Sequence, residues 1–197
     1  MRDKWYADNR DLVKWGVLLT LAEHYEAKHI LQVLYYRPTE WAQLDLDGEQ
    51  APIPEAVIRH FRRVSAVSAI EASAPVEAVS DKFENRDDYN RLVIDRIRTR
   101  STTPGIVFLD PDTGLEPQTP SFNHVLCCEL KNLWAELRSG DVLVFYQHQT
   151  NMNGQQWIKP KKRQFEQAIG LPNDTAKLSR SEQIARDVVF FYAQKGG

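Results

Sequence analysis

Gly105-Ile106-Val107-Phe108-Leu109-Asp110-Pro111-Asp112-Thr113-Gly114 is a short run of branched and aromatic residues that stops on an acid, a proline, a second acid and a glycine. A run of that length without polar alternation reads as a strand buried on both faces, the middle of a parallel sheet. In open α/β sheets the ligand sits in the crevice beyond the carboxyl ends of such strands. Asp110 and Asp112 are therefore the first candidates for the working end of the molecule. A second run, Asp141-Val142-Leu143-Val144-Phe145-Tyr146-Gln147-His148-Gln149, has the same shape and also ends on polar, proton-handling side chains. Two central strands that both end this way imply one site.

The flanking chain alternates between two periodicities. Asp8 or Asp11 caps a helix whose apolar positions Leu12, Val13, Trp15, Leu18, Leu19, Ala22 and Tyr25 fall at helical spacing. A strand over Ile30–Tyr36 follows, ended by Arg37-Pro38. A polar loop with Asp45, Asp47 and Gly48 leads to Pro54, the first residue of a helix running to about Arg63. Val64–Glu71 reads as another strand. Asn85-Arg86-Asp87-Asp88 opens a helix carrying Leu92, Val93 and Ile97, with Arg96, Arg98 and Arg100 where the helix dipole favours cations.

After the Asp110 strand, His124–Leu137 reads as a helix stopped by Ser139-Gly140, and Pro160–Ile169 as another stopped by Gly170. Ala176–Ser179 and Ile184–Tyr192 read as a hairpin joined by Arg180-Ser181-Glu182-Gln183. Such alternation predicts a three-layer, Rossmann-like α/β fold. It has a mostly parallel sheet with helices on both faces and a C-terminal antiparallel hairpin, in a single domain over residues 1–197.

Composition narrows the class. With 197 residues, 42% hydrophobic and 26% charged, the chain has the make-up of a soluble globular protein with a core that needs no staples. A net charge of −2 does not advertise a nucleic-acid binder, although charge can be segregated locally. Cys127 and Cys128 are adjacent and cannot staple distant parts of the chain; with a charged N-terminus in place of a signal peptide, they predict a reducing, cytoplasmic setting. No stretch approaches the ~20 apolar residues that span a bilayer, so no membrane partner is expected.

Three motifs carry a resemblance. Asp8-x-x-Asp11-Leu12-Val13-Lys14, Phe108-Leu109-Asp110-Pro111-Asp112 and Val144-Phe145-Tyr146-Gln147 resemble, in order and spacing, elements of the large-subunit ribosomal RNA adenine-N6 methyltransferases. Those enzymes carry Asn-x-x-Asp-(two apolar)-Lys before the first strand, then strands ending in Asp-Pro-Pro-aromatic and Tyr-Pro. The chain is similar, more nearly, to a group of uncharacterised bacterial proteins sharing Asp-x-x-Asp-x-x-Lys, Asp-Pro-Asp-x-Gly and Tyr-Gln-His. The resemblance implies a methyltransferase-like fold, S-adenosylmethionine as cofactor and a nucleic acid or nucleotide as partner. It implies that Lys14 contacts the cofactor's carboxylate, with Asp11 and Tyr36 beside the cofactor. Asp110 would hold the target amine next to the transferred methyl, and Pro111 would shape the turn that presents it. Where the family has a second proline and a base-stacking aromatic, this chain has Asp112, Thr113 and Gly114. The loop after its first strand has Tyr36-Arg37-Pro38 instead of glycines.

Read without the family, Asp110 and Asp112 are alternate residues around a proline. They can offer oxygen ligands to Mg²⁺ or Mn²⁺, with Glu116 close in sequence, as in a metal-dependent nuclease or phosphotransferase. The plainer possibility is that Asp110 caps a turn, since Asp-x-Thr-Gly is good turn chemistry. His148 is a candidate general base or metal ligand, and Tyr146, Gln147, Gln149 and Asn151 are candidate substrate ligands. Lys14 stands one turn from Asp11, where a simple ion pair also fits. Lys159-Pro160-Lys161-Lys162-Arg163 holds four cations in five residues; such a patch can neutralise phosphates, although a solvated helix start is the commoner explanation. Zinc spacing, Gly-x-Ser-x-Gly and a phosphate-binding loop are absent. A non-catalytic binding module is the third possibility.

Overall fold

The computed structural model describes every residue except 1, 3–5, 39–42, 58–67, 69, 71–73, 101–102, 151–155 and 197. In chain order the described elements begin with α1 (Asn9–His24), β1 (Ile30–Val33), β2 (Leu44–Leu46), β3 (Glu49–Ala51), β4 (Val76–Val79) and α2 (Arg86–Thr99). Next come β5 (Ile106–Leu109), β6 (Gly114–Leu115), β7 (His124–Val125), α3 (Cys127–Ala135) and β8 (Val142–His148). The chain closes with α4 (Ile158–Ala168), β9 (Lys177–Ser181) and β10 (Ala185–Gln194).

The two apolar runs become neighbouring parallel strands, Ile106 opposite Val142 and Leu109 opposite Phe145. Both are central, which is why neither alternates in polarity. The main sheet has the order β4-β1-β5-β8-β10-β9. Its first four strands are parallel, and β10 runs antiparallel to both β8 and β9. A mostly parallel α/β sheet with a C-terminal antiparallel hairpin is the architecture the sequence predicts. Helix α1 packs its apolar stripe with Ile30, Phe108, Val144 and Phe190 on one face of the sheet. Helices α2, α3 and α4 cover the other face over Leu31, Val107, Leu143 and Phe191. No helix among the described residues is long and apolar enough to cross a membrane.

Several elements differ from the sequence reading. β1 ends at Val33 because Tyr35 takes a left-handed backbone, φ 46°, which no strand tolerates. The loop holding Asp45 is the hairpin β2-β3, turned by Asp47 and Gly48, both at positive φ; Asp-Gly is the dipeptide that such tight turns select. The helix expected from Pro54 shows one turn at Glu55–Val57 before passing beyond the described residues. The strand expected over Val64–Glu71 also lies outside them, apart from Ser68 and Ile70, neither of which is in a strand. β4 pairs with β1 instead. His124 belongs to β7, paired with β6, so α3 starts three residues later than expected.

Opposite the candidate site, the amino ends of the central strands are tied by one carboxylate. Asp141 is fully buried and accepts from Arg100 Nη2 at 2.7 Å, from the Gly105 amide at 2.9 Å and from the Arg138 amide at 3.0 Å. Removing one member of such a pair strands a buried charge. Asp141→Ala is therefore expected to destabilise the fold by about 3–5 kcal/mol, read as a lowered urea midpoint.

Candidate functional site

Beyond the carboxyl ends of β5 and β8 lies a cleft of about 290 Å³, walled by the first turns of α1. Asp8 caps α1 by accepting from the Arg10 and Asp11 amides, so the helix starts at the cleft's rim. Lys14 follows on the sheet-facing side. Its ammonium is 3% exposed at the residue level and donates to Asp11 Oδ1 at 2.5 Å and Asp110 Oδ2 at 2.9 Å. The Tyr146 ring centroid is 5.6 Å from the same nitrogen, within cation–π range. Burial alone would drive the Lys14 pKa down, but Asp110 and Asp11 outweigh it and hold the ammonium above its ordinary value.

Asp110 is placed by the backbone and clamped by side chains. Its amide donates to Val33 O at 2.9 Å, fixing the end of β5 against β1. Gln32, buried in the middle of β1, donates its amide to Asp110 Oδ2 at 2.8 Å. That contact fixes the amide's orientation and leaves Gln32 Oε1 buried with no hydrogen-bond partner among the described residues. Lys14 and Gln32 both take Oδ2, and among the described residues Oδ1 accepts no hydrogen bond. Burial pushes the Asp110 carboxyl up, Lys14 opposes this, and the neighbouring Asp11 carboxylate adds to it. Two carboxylates thus share one ammonium. The Tyr146 hydroxyl also has no protein partner among the described residues. Burial and Asp110 raise its pKa well above the usual value, which keeps it a neutral donor. A carboxylate oxygen and a phenol hydroxyl therefore line the cleft with hydrogen-bonding capacity to spare.

Asp112 turns to a different cation. Arg37, from the loop after β1, contacts both Asp112 and Asn123. This bridge spans the point between β1 and β5 where the strand order reverses, the usual ligand crevice of such sheets. Burial would raise the Asp112 pKa, but the surrounding cations, Arg37 among them, hold it below the ordinary carboxylate range. As candidate Mg²⁺ or Mn²⁺ ligands, Asp110 and Asp112 are thus directed at Lys14 and Arg37 instead of at a common point. Glu116 caps α3 through the Cys127 amide at 2.8 Å, and among the described residues no three His, Cys, Asp or Glu side chains gather as a metal site.

His148 lines the cleft, yet both ring nitrogens are occupied. Nδ1 faces Gln149 O at 3.1 Å and Nε2 faces Asp187 Oδ2 at 3.1 Å. Both facing oxygens are acceptors, so a neutral imidazole donates to one of them and turns its second nitrogen toward the other. Asp187 in turn binds Arg10 Nη2 at 2.5 Å, locking the hairpin to α1. Gln147, expected as a substrate ligand, is fully buried. Its Oε1 accepts from the Leu115 amide at 2.9 Å, and its Nε2 donates to His148 O at 2.7 Å. It holds the Asp-Pro-Asp-Thr-Gly loop in shape, and Gly114 has no Cβ because that amide lies against it at φ 137°.

Lys14, Asp11, Asp110, Pro111, Asp112, Tyr146 and His148 are brought together around the cleft. Tyr36 is not among them; it bridges to Lys82 and accepts from the Phe83 amide at 2.7 Å. Gln149 donates its amide to Asp187 O at 2.8 Å, and Asn151 lies outside the described residues. The sequence reading missed Gln32, Arg37, Arg10 and Asp187. A glutamine in an otherwise apolar strand was the one available signal; the others depend on long-range register.

No family model matches the chain, and no curated protein matches it. Among solved structures it is similar to a DUF574 family protein from Streptomyces avermitilis MA-4680. The TM-score is 0.46 at 13% identity, over 95% of this chain and 82% of that one.

The Asp112 pairing predicts a pH dependence. A carboxyl held low in the native state contributes stability above its unfolded pKa, and this is lost as pH falls through the native value. The urea-unfolding gap between wild type and Asp112→Asn is expected to be full above about pH 5 and to close below about pH 4.

Proposed function

We propose that the cleft binds S-adenosylmethionine and that the protein transfers its methyl group to an amino nitrogen of a nucleic acid or nucleotide. The observation that carries this reading is Asp110, with Oδ2 clamped by Lys14 and Gln32 and Oδ1 left to the cleft beside the Tyr146 hydroxyl. An acceptor next to a donor complements a nucleobase edge that pairs an amino group with a ring nitrogen or carbonyl.

The residues present fit the cofactor's charged end. Asp110 and Asp112 favour a cationic centre, while Arg10 and Lys14 offer positive charge to a carboxylate. A cleft of about 290 Å³ is just below the ~300–1,000 Å³ typical of small-molecule pockets, so it suits the amino-acid end and not the whole cofactor. Tyr35, just after β1, takes a left-handed backbone, φ 46°, a conformation that glycine adopts most readily. Its ring turns into the core, 5.3 Å from Phe83 and 5.4 Å from Tyr89 between centroids.

When bound, S-adenosylmethionine supplies an electrophilic methyl group. Asp110 Oδ1 accepts the amine N–H, turns the nitrogen lone pair toward the methyl and stabilises the positive charge that grows on nitrogen. Because burial raises its pKa, Asp110 is also suited to receive the amine proton afterwards. Tyr146 donates to the neighbouring acceptor and fixes the base edge. Lys14 keeps the carboxylate oriented, and α1 excludes water from one side.

Transfer of a labelled methyl group from S-adenosylmethionine to single-stranded RNA and to free nucleotides tests the reading. Wild type is expected to incorporate label. Asp110→Asn should lose roughly 10²–10³-fold in rate, the cost of removing a group that stabilises developing charge. Tyr146→Phe, which keeps its packing, should lose up to about tenfold, the worth of one neutral hydrogen bond. No incorporation into any acceptor, with no thermal stabilisation by S-adenosylhomocysteine, would sink the proposal.

A further inference from the structure

We infer that a second groove, formed by α4 and the edge strand β9, binds a single-stranded nucleic acid that presents its base to the cleft. The groove encloses about 590 Å³, within the ~300–1,000 Å³ of small-molecule sites. Trp157, Ile158 and Leu178 give it an apolar floor, and Lys159, Lys162 and Arg180 line it without any acid. The three charged residues of the lining are cations, two of them with acids beside them, in contrast to a cleft lined by four aspartates.

The division of charge decides the occupant. In the cleft, Arg10 and Lys14 are already paired with Asp187, Asp11 and Asp110, which leaves less of their charge for a phosphate backbone than an unpaired lysine offers. Lys159 has no carboxylate partner among the described residues. Among the described residues Arg180 meets Glu182 in an exposed pair, of the weak kind that a phosphate can displace. Lys162 lies 3.4 Å from Glu166 and 3.5 Å from Asp174 and contributes less. Between these cations Trp157, 9% exposed and packed mostly into the core, forms part of the apolar floor with Ile158 and Leu178. Apolar contact flanked by backbone-neutralising cations is the usual make-up of single-strand binding grooves.

The groove lies on the α4 face of the sheet and reaches the same carboxyl edge as the cleft. β9 runs parallel to β8, and Ser181 pairs with Ala185 at the end of the hairpin where Val188 faces His148. Arg180 therefore stands at the carboxyl edge of the sheet, the edge on which the cleft opens. This inference rests on the methyl-transfer reading only for its biological purpose; the binding itself is independent.

The test is fluorescence anisotropy with a labelled single-stranded RNA of about 12 nucleotides, a length within the usual site size, titrated between about 50 and 200 mM salt. Lys159→Ala/Arg180→Ala is compared with wild type and with Lys131→Ala, an exposed position on α3. Wild type and Lys131→Ala are expected to bind alike. The double variant should bind at least tenfold more weakly, with a salt slope shallower by about 1.4, because each lost single-strand contact removes about 0.7. No binding by wild type, or an unchanged slope in the double variant, overturns the inference. RNA binding without methyl transfer would keep the groove and remove the cleft reading. Methylation of free nucleotides without RNA binding would do the reverse.

Discussion

Lys14 carries its ammonium through the interface between α1 and the sheet, where Asp11 meets it at 2.5 Å and Asp110 at 2.9 Å. All three groups are buried. Taking these charges from water costs several kcal/mol each, and only close geometry with additional hydrogen bonds restores the balance. Those additional bonds are present: the Ala7 amide donates to Asp11 Oδ2 at 2.7 Å, and Gln32 donates to Asp110 at 2.8 Å. The arrangement therefore constrains three things at once: the position of α1 over the sheet, the end of β5 beside β1, and the carboxylate oxygen left facing the cleft.

The other polar contacts around the cleft answer to that constraint. With α1 in place, Arg10 reaches Asp187 on β10, and Asp187 holds His148. With β5 ended at Asp110, the loop turns through Gly114 against the Gln147 amide, and Asp112 meets Arg37 from the loop after β1. The result is a cleft whose charged groups are paired before any ligand arrives. Such preorganisation lets a site stabilise developing charge without rearranging.

Most of the fold was legible because its signals are local. Four-residue apolar strands, the Asp8 and Asn85 caps and the Gly170 stop each follow from nearby residues alone. That Lys14, Asp110 and Tyr146 meet around one cleft was legible because they stand at strand ends or in a spaced motif. The failures have a common cause in pairings between distant segments. Gln32 has no meaning until β1 lies beside β5, and Asp187 none until the hairpin register sets Val188 opposite His148. His148 looked like a free base because its partner stands 39 residues away. Tyr35 hid its turn, since a left-handed residue is expected to be glycine.

The shape of the cleft depends on Lys14 and Asp110 acting as a unit. A double-mutant cycle on urea unfolding, with Lys14→Met, Asp110→Asn and both together, measures this directly. The structure predicts a coupling energy of about 2–3 kcal/mol, the upper range for residues sharing one buried network. Strict additivity of the two substitutions would contradict it, leaving Asp110 without the clamp that aims it at the cleft.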